Sequence, residues 1–166
     1  IGPGLGNVTI GSLNGSGDLG LTNLAGGAAT LVVGSNNYSG VYSGNLSGAG
    51  ALWKVGTGEQ VLSGSNTYSG GTIVYGGILR ATKADALAGY NVSGGVDVRG
   101  NATIAVNAGG GDEWSGSEIG TLVANATWAA NSRLGIYVES APVEISSALT
   151  GTFGLHKLGT GTLVLS

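Results

Sequence analysis

The sequence predicts an all-β protein, and within that class a parallel β-helix (a β-solenoid) of roughly seven coils, part of a longer array. Three observations carry this expectation. Glycine fills 35 of 166 positions and only 9% of residues are charged, yet 42% are hydrophobic. Short β-forming runs recur along the whole chain. Two motifs return with few changes. Disordered chains combine high charge with few aliphatic residues, and collagen needs glycine at every third position with abundant proline, whereas proline here numbers 2. What remains is a β-rich chain with many tight turns.

The β-forming runs fall in order at 8–10, 30–33, 52–55, 60–62, 72–75, 78–80, 96–98, 103–106, 120–123, 134–138, 143–145 and 162–165. Glycine, asparagine, serine or aspartate punctuates nearly every gap, as turns with positive φ require. The runs are short and mostly alternate apolar with small polar residues, which places one face inward and the other outward. Residues 83–88 read as one helical turn ended by Gly89, and no amphipathic helix of useful length is expected elsewhere. Strands this short, joined by turns this frequent, suit solenoid coils of about 20–25 residues better than a sandwich. At about 4.8 Å per coil, seven coils make a rod on the order of 35 Å long.

The repeats sharpen the picture. LWKVGTGEQVLS at 52–63 and LHKLGTGTLVLS at 155–166 agree at 8 of 12 positions, and GSNNYSG at 34–40 and GSNTYSG at 64–70 agree at 6 of 7. The chain reads as a single β-helical segment, 1–166, with repeat units near 31–51 and 52–81, a truncated copy from 155, and a less regular insert at 82–153. Asn36 and Asn66 suit corner positions where side chains stack from coil to coil. The absence of Met and the broken patterns at both ends read as a piece of something longer.

Read as a whole, LxKxGTGxLxLSGxNTYxGGTxVxxGxLxA resembles the autotransporter-associated β-strand repeat of bacterial passenger regions. Leu52, Lys54, Gly56, Thr57, Gly58, Leu62, Ser63, Gly64, Asn66, Thr67, Tyr68, Gly70, Gly71 and Thr72 carry the likeness, followed by Val74, Gly77, Leu79 and Ala81. The resemblance implies a right-handed β-helix exported to the surface of a Gram-negative cell, with no catalytic residues and no cofactor. It implies a structural or adhesive role: a stalk segment, a rigid spacer, or a block of an extracellular filament. Partners would then be the chain itself end to end, neighbouring β-helix repeats, surface glycans, or host and matrix ligands.

Composition narrows the chemistry. With no Cys, a disulfide framework, a thiolate zinc site and a Cys nucleophile are excluded. Net charge is −3, and six Lys and Arg residues spread singly make no basic face for nucleic acid. No apolar run reaches the roughly 18–20 residues of a membrane span. The one histidine, His156, stands where the other copy has Trp53, which reads as a surface slot rather than a triad member. Asp97 and Arg99 share a strand face and could form half of a polysaccharide lyase site, but read first as a surface ion pair. N-x-S/T sequons, among them those at Asn7, Asn37, Asn45, Asn91, Asn101 and Asn125, follow from the composition.

One stretch departs from the repeat. GGGDEWSGSE at 109–118 clusters the acids, and reads as a loop protruding from the solenoid. Asp112, Glu113 and Glu118 are weak calcium candidates, since they offer hard oxygen ligands without an EF-hand or nonapeptide-repeat spacing. Trp114 beside them is expected as an exposed ring that stacks on sugars. A polysaccharide-active or carbohydrate-binding β-helix module is therefore the alternative function.

Overall fold

A computed structural model describes residues 4–139 and 141–166; Ile1, Gly2, Pro3 and Ser140 lie outside the described residues. The chain is a parallel β-solenoid of about seven coils with three faces. The first coil contains β1 (Asn7–Ile10) and β2 (Leu19–Gly20). The second contains β3 (Thr30–Val33), β4 (Gly40–Tyr42) and β5 (Leu46–Ser47). In the third are β6 (Leu52–Lys54) and β7 (Glu59–Leu62), and in the fourth β8 (Thr72–Val74), β9 (Ile78–Ala81) and a 3-10 turn at Ala84–Ala86. The fifth holds β10 (Val96–Val98), β11 (Thr103–Ala108) and the helix α1 (Gly116–Asn125). The sixth holds β12 (Thr127–Trp128), β13 (Arg133–Val138) and β14 (Val143–Ile145), and the seventh β15 (Gly154–Leu158) and β16 (Leu163–Leu165).

Every strand pair is parallel. The first face is a six-stranded sheet in the order β1-β3-β6-β8-β10-β12, and the second is another, β15-β13-β11-β9-β7-β4. Among the described residues the third face carries only the pairs β2-β5 and β14-β16. Register gives the coil length directly. Lys54 stands beside Val74, a step of 20 residues; Val74 beside Val98, a step of 24; and Val98 beside Trp128, a step of 30. Residues 82–153 thus keep to the same two sheets, and the added length goes into the third face.

The alternation read from the sequence is the alternation observed. On the second face Leu79, Ile104 and Leu134 stack inward and are wholly buried, as are Ala81, Val106 and Ile136 two residues on. Each coil supplies one rung of such a ladder, so the core is a narrow column, and burial stabilises each rung only once its neighbours are stacked.

The repeated motifs do not stack on one another. GSNNYSG makes the corner between β3 and β4, from the first face to the second. GSNTYSG lies between β7 and β8, on the third side of the coil. Their separation of 30 residues is one and a half coils. Asn36 is consequently exposed, and its Oδ1 accepts from Tyr38 N at 3.1 Å in a local turn. Asn66 is 7% exposed and bridges coils: Oδ1 accepts from Leu46 N at 2.7 Å, and Nδ2 donates to Ala86 O at 2.7 Å, each 20 residues away. The stacking role expected of both belongs to Asn66 alone. The LxKxGTG motif behaves likewise. Its first copy runs from the first face to the second as β6 and β7, and its second copy from the second face to the third as β15 and β16.

The expectation of no useful helix is overturned by α1, which takes the third side of the fifth coil and absorbs the strand expected at 120–123. Its signals are local. Ser115 is the N-cap and Glu118 completes a capping box, with Glu118 N donating to Ser115 Oγ at 3.3 Å and Ser115 N to Glu118 Oε2 at 2.9 Å. Ile119, Leu122 and Val123, at helical spacing, are its buried residues. The turn expected at 83–88 is present as the 3-10 segment.

Gln60 shows why one glycine is needed where it is. Its buried side-chain amide crosses the second coil to the first: Nε2 donates to Leu13 O at 2.9 Å, and Oε1 accepts from Leu13 N at 3.0 Å. It passes Gly40, where an added Cβ would lie 2.8 Å from Gln60 Oε1 and 2.5 Å from Leu13 O. The amide thus completes a ladder that the backbone alone leaves open.

Candidate functional site

The acidic stretch does line a cleft. Lys83, Ala84 and Asp85 of the fourth coil and Asp112, Glu113 and Glu118 of the fifth surround a cleft of about 360 Å³. Two of its carboxylates are committed locally: Glu113 Oε2 accepts from Gly110 N at 2.7 Å, and Glu118 caps α1. Among the described residues no group of three or more Asp, Glu or His side chains lies close enough to hold a metal ion.

Trp114 is not the exposed ring expected of it. It is 1% exposed, its Nε1 donates to Ala81 O at 3.0 Å, and it meets Tyr90 edge-on at 5.0 Å between centroids. The physical reason is α1. A helix entering the third face must be anchored over the core, and the residue just before its N-cap is the one that turns inward. Trp114 is held against Ala81 and Tyr90 inside the core, so it cannot stack on a sugar.

Asp97 and Arg99 form the ion pair expected of them, with Arg99 Nη2 2.7 Å from Asp97 Oδ2. His156 is exposed on β15, beside Gly135. Trp53 occupies the matching outward slot of β6, so both copies present that position to the outside.

The sequence reading missed two arrangements. The first is an external clasp over the second face. Arg80 Nε lies 2.9 Å from Glu59 Oε1, Arg80 Cζ sits 4.4 Å from the centroid of Tyr137, and the Tyr137 hydroxyl reaches Glu59 at 3.5 Å. These residues belong to the third, fourth and sixth coils, and Ala105 of the fifth coil is wholly buried. The second is Lys54. Its side chain is wholly buried, and Nζ donates to Val55 O at 2.6 Å, Gly56 O at 3.2 Å and Gly76 O at 3.2 Å. Lys157 makes the corresponding local bond to Gly159 O at 2.5 Å. The sequence carries the signal: both copies keep Lys between a leucine strand and a GTG corner. A corner in which successive carbonyls point inward needs a donor, and an ammonium supplies three.

Burial lowers the Lys54 pKa from 10.5 to about 8. Between about pH 8 and 10.5 the unfolded chain therefore binds more protons at this group than the folded one, so its contribution to stability rises with pH across that window, by at most about 1.4 kcal/mol per pH unit. The urea midpoint of the wild type relative to Lys54→Met is expected to climb between pH 8 and 10; a constant difference would contradict this.

The corner unit that Lys54 and Lys157 mark is a known one. Residues 52–81 and 155–166 match the Passenger-associated-transport-repeat family. The chain carries this passenger repeat. The match bears out the resemblance read from the sequence, over the same residues. Over 151 residues the chain is also 33% identical to "Adhesin BmaC autotransporter" of Brucella suis biovar 1 (strain 1330), an alignment that covers 87% of this chain. It spans 4% of the length of that relative. No solved structure matches the chain. Laid on the fold, the passenger repeat of 52–81 runs over the first, second and third sides, then the first and second again. The first copy starts on the first face and the second on the second face, so the two copies do not line one face.

Proposed function

We propose that this chain is a β-helical stalk segment of a bacterial protein secreted to, or displayed on, the cell surface, acting as a rigid spacer or filament block with an adhesive role. The observation that carries this reading is the passenger repeat, folded into coils whose stiffness comes from continuous parallel ladders. The likeness to a Brucella autotransporter adhesin supports the surface location. Low charge limits repulsion between stacked coils, and each buried rung supports the next. The site chemistry fits a structural role: Glu113 and Glu118 of the cleft are engaged in turn and capping bonds, and Asp97 is paired with Arg99.

The test is transplantation. The chain, spliced into the passenger of an autotransporter in a non-adherent bacterium, should resist protease added to intact cells and should raise attachment to epithelial cells or matrix-coated surfaces. Rapid proteolysis of the spliced segment would remove the stalk reading, and unchanged attachment would remove the adhesive one.

A further inference from the structure

We propose that the outer face of the first sheet carries a platform for a neutral pyranose chain, built from Trp53, Tyr75, Asp97 and Arg99; the proposal deepens the adhesive reading and rests on it. Trp53, Ile73 and Asp97 are register partners on three successive coils. They point outward, because their neighbours Leu52, Thr72 and Val96 on one side and Lys54, Val74 and Val98 on the other are buried. Tyr75 and Arg99 form a second outward row beside them, held by Tyr75 N to Lys54 O and Arg99 N to Val74 O. With coils about 4.8 Å apart, the patch is about 10 Å long.

Its side chains are already organised. Trp53 and Tyr75 meet edge to face at 5.6 Å, and Arg99 Cζ lies 5.9 Å from the Tyr75 centroid. Tyr75 is 43% exposed, and the Arg99 side chain 50%. Val32, beside Trp53 on the outer face, is only 9% exposed, as expected if the indole lies across it. Aromatic rings fixed on a flat sheet offer the apolar surface that the C–H face of a pyranose covers, at little ordering cost.

The charges select the class of ligand. Arg99 and Asp97 neutralise each other, so the patch draws neither an anionic nor a cationic partner. Together they still present guanidinium N–H donors next to a carboxylate, the Arg99 side chain 50% and the Asp97 side chain 20% exposed. A vicinal diol, each hydroxyl both donor and acceptor, is the complement of that pair. The cleft near Glu113 has acids but no exposed ring, and Trp114 is buried.

The experiment titrates the chain with cello-, malto-, manno- and galacto-hexaose and follows the three indole N–H resonances by NMR. One sugar is expected to shift Trp53 saturably, with an affinity on the order of millimolar or tighter, while Trp114 stays still. Trp53→Ala and Arg99→Ala should each weaken that binding about tenfold or more, and Trp53→Phe should weaken it less. Absence of a saturable shift with all four sugars overturns the proposal. So does binding unchanged in both alanine variants, or a Trp53 shift that follows protein concentration alone, which would make the face a contact between copies of the chain. If no sugar binds while the transplanted chain still promotes attachment, the platform fails and the adhesive reading stands. If a sugar binds and attachment is not raised, the adhesive reading alone fails.

Discussion

Trp114→Ala is expected to destabilise the solenoid by about 3–5 kcal/mol, in the upper range for a buried side chain and a large share of the ~5–15 kcal/mol that holds a typical domain folded. The indole is 1% exposed, and its removal opens a cavity beside Ala81 and Tyr90. It also strips Ala81 O of the Nε1–H donor at 3.0 Å. Ala81 belongs to β9, so the damage reaches the second sheet as well as the helix. Trp114→Phe keeps most of the apolar volume and loses only the hydrogen bond, so it should cost about 1–2 kcal/mol. Urea unfolding followed by circular dichroism measures both. A loss below about 1 kcal/mol for the alanine variant would mean that the ring is not buried as described.

The second large effect is expected at Asn66. Asn66→Ala leaves Leu46 N and Ala86 O without partners inside the stack, at about 1–3 kcal/mol each, so a total near 3 kcal/mol is expected. The same substitution at Asn36 removes one exposed turn bond and should cost under about 1 kcal/mol. The two residues sit at the same place in nearly identical heptapeptides, so propensity and composition cancel in the comparison. What differs is the side of the coil each occupies. Equal losses would imply that the heptapeptides are equivalent after all, and the coil length would have to be revised.

That pair also shows what the sequence could and could not reveal. Alternation within the strands was legible: Leu79, Ile104 and Leu134 read as inward and are inward, because a period of two is local. The passenger repeat was legible from its residues. The coil length of about 20–25 residues and the count of about seven were legible too, but the strand register was not, because it depends on which strand lies beside which. The 30-residue motif spacing invited a stacking that the 20-residue register contradicts. The helix α1 was missed although Ser115, Glu118, Ile119, Leu122 and Val123 spell a capping box and an apolar stripe; the short apolar run at 120–123 looked like one more strand. Trp114 was misplaced for the same reason, since its burial follows from the helix behind it. Lys54 was counted as part of a motif with no role assigned. Its cage of carbonyls includes Gly76 O from the next coil, a contact that no local reading shows.

The central claim is the register of the coils, and the absence of native cysteines makes it directly testable by disulfide trapping. Val41 and Val61 are partners on neighbouring parallel strands, β4 and β7. Ser35 and Ser65 hold matching places in the two heptapeptides and would be neighbours if those motifs stacked. A disulfide closes only when the two Cα atoms lie within about 7 Å. Under mild oxidation, Val41→Cys/Val61→Cys should form an intramolecular disulfide in the folded chain, and Ser35→Cys/Ser65→Cys should stay reduced. Closure of the serine pair, with the valine pair remaining open, would contradict the 20-residue coil and the fold built on it.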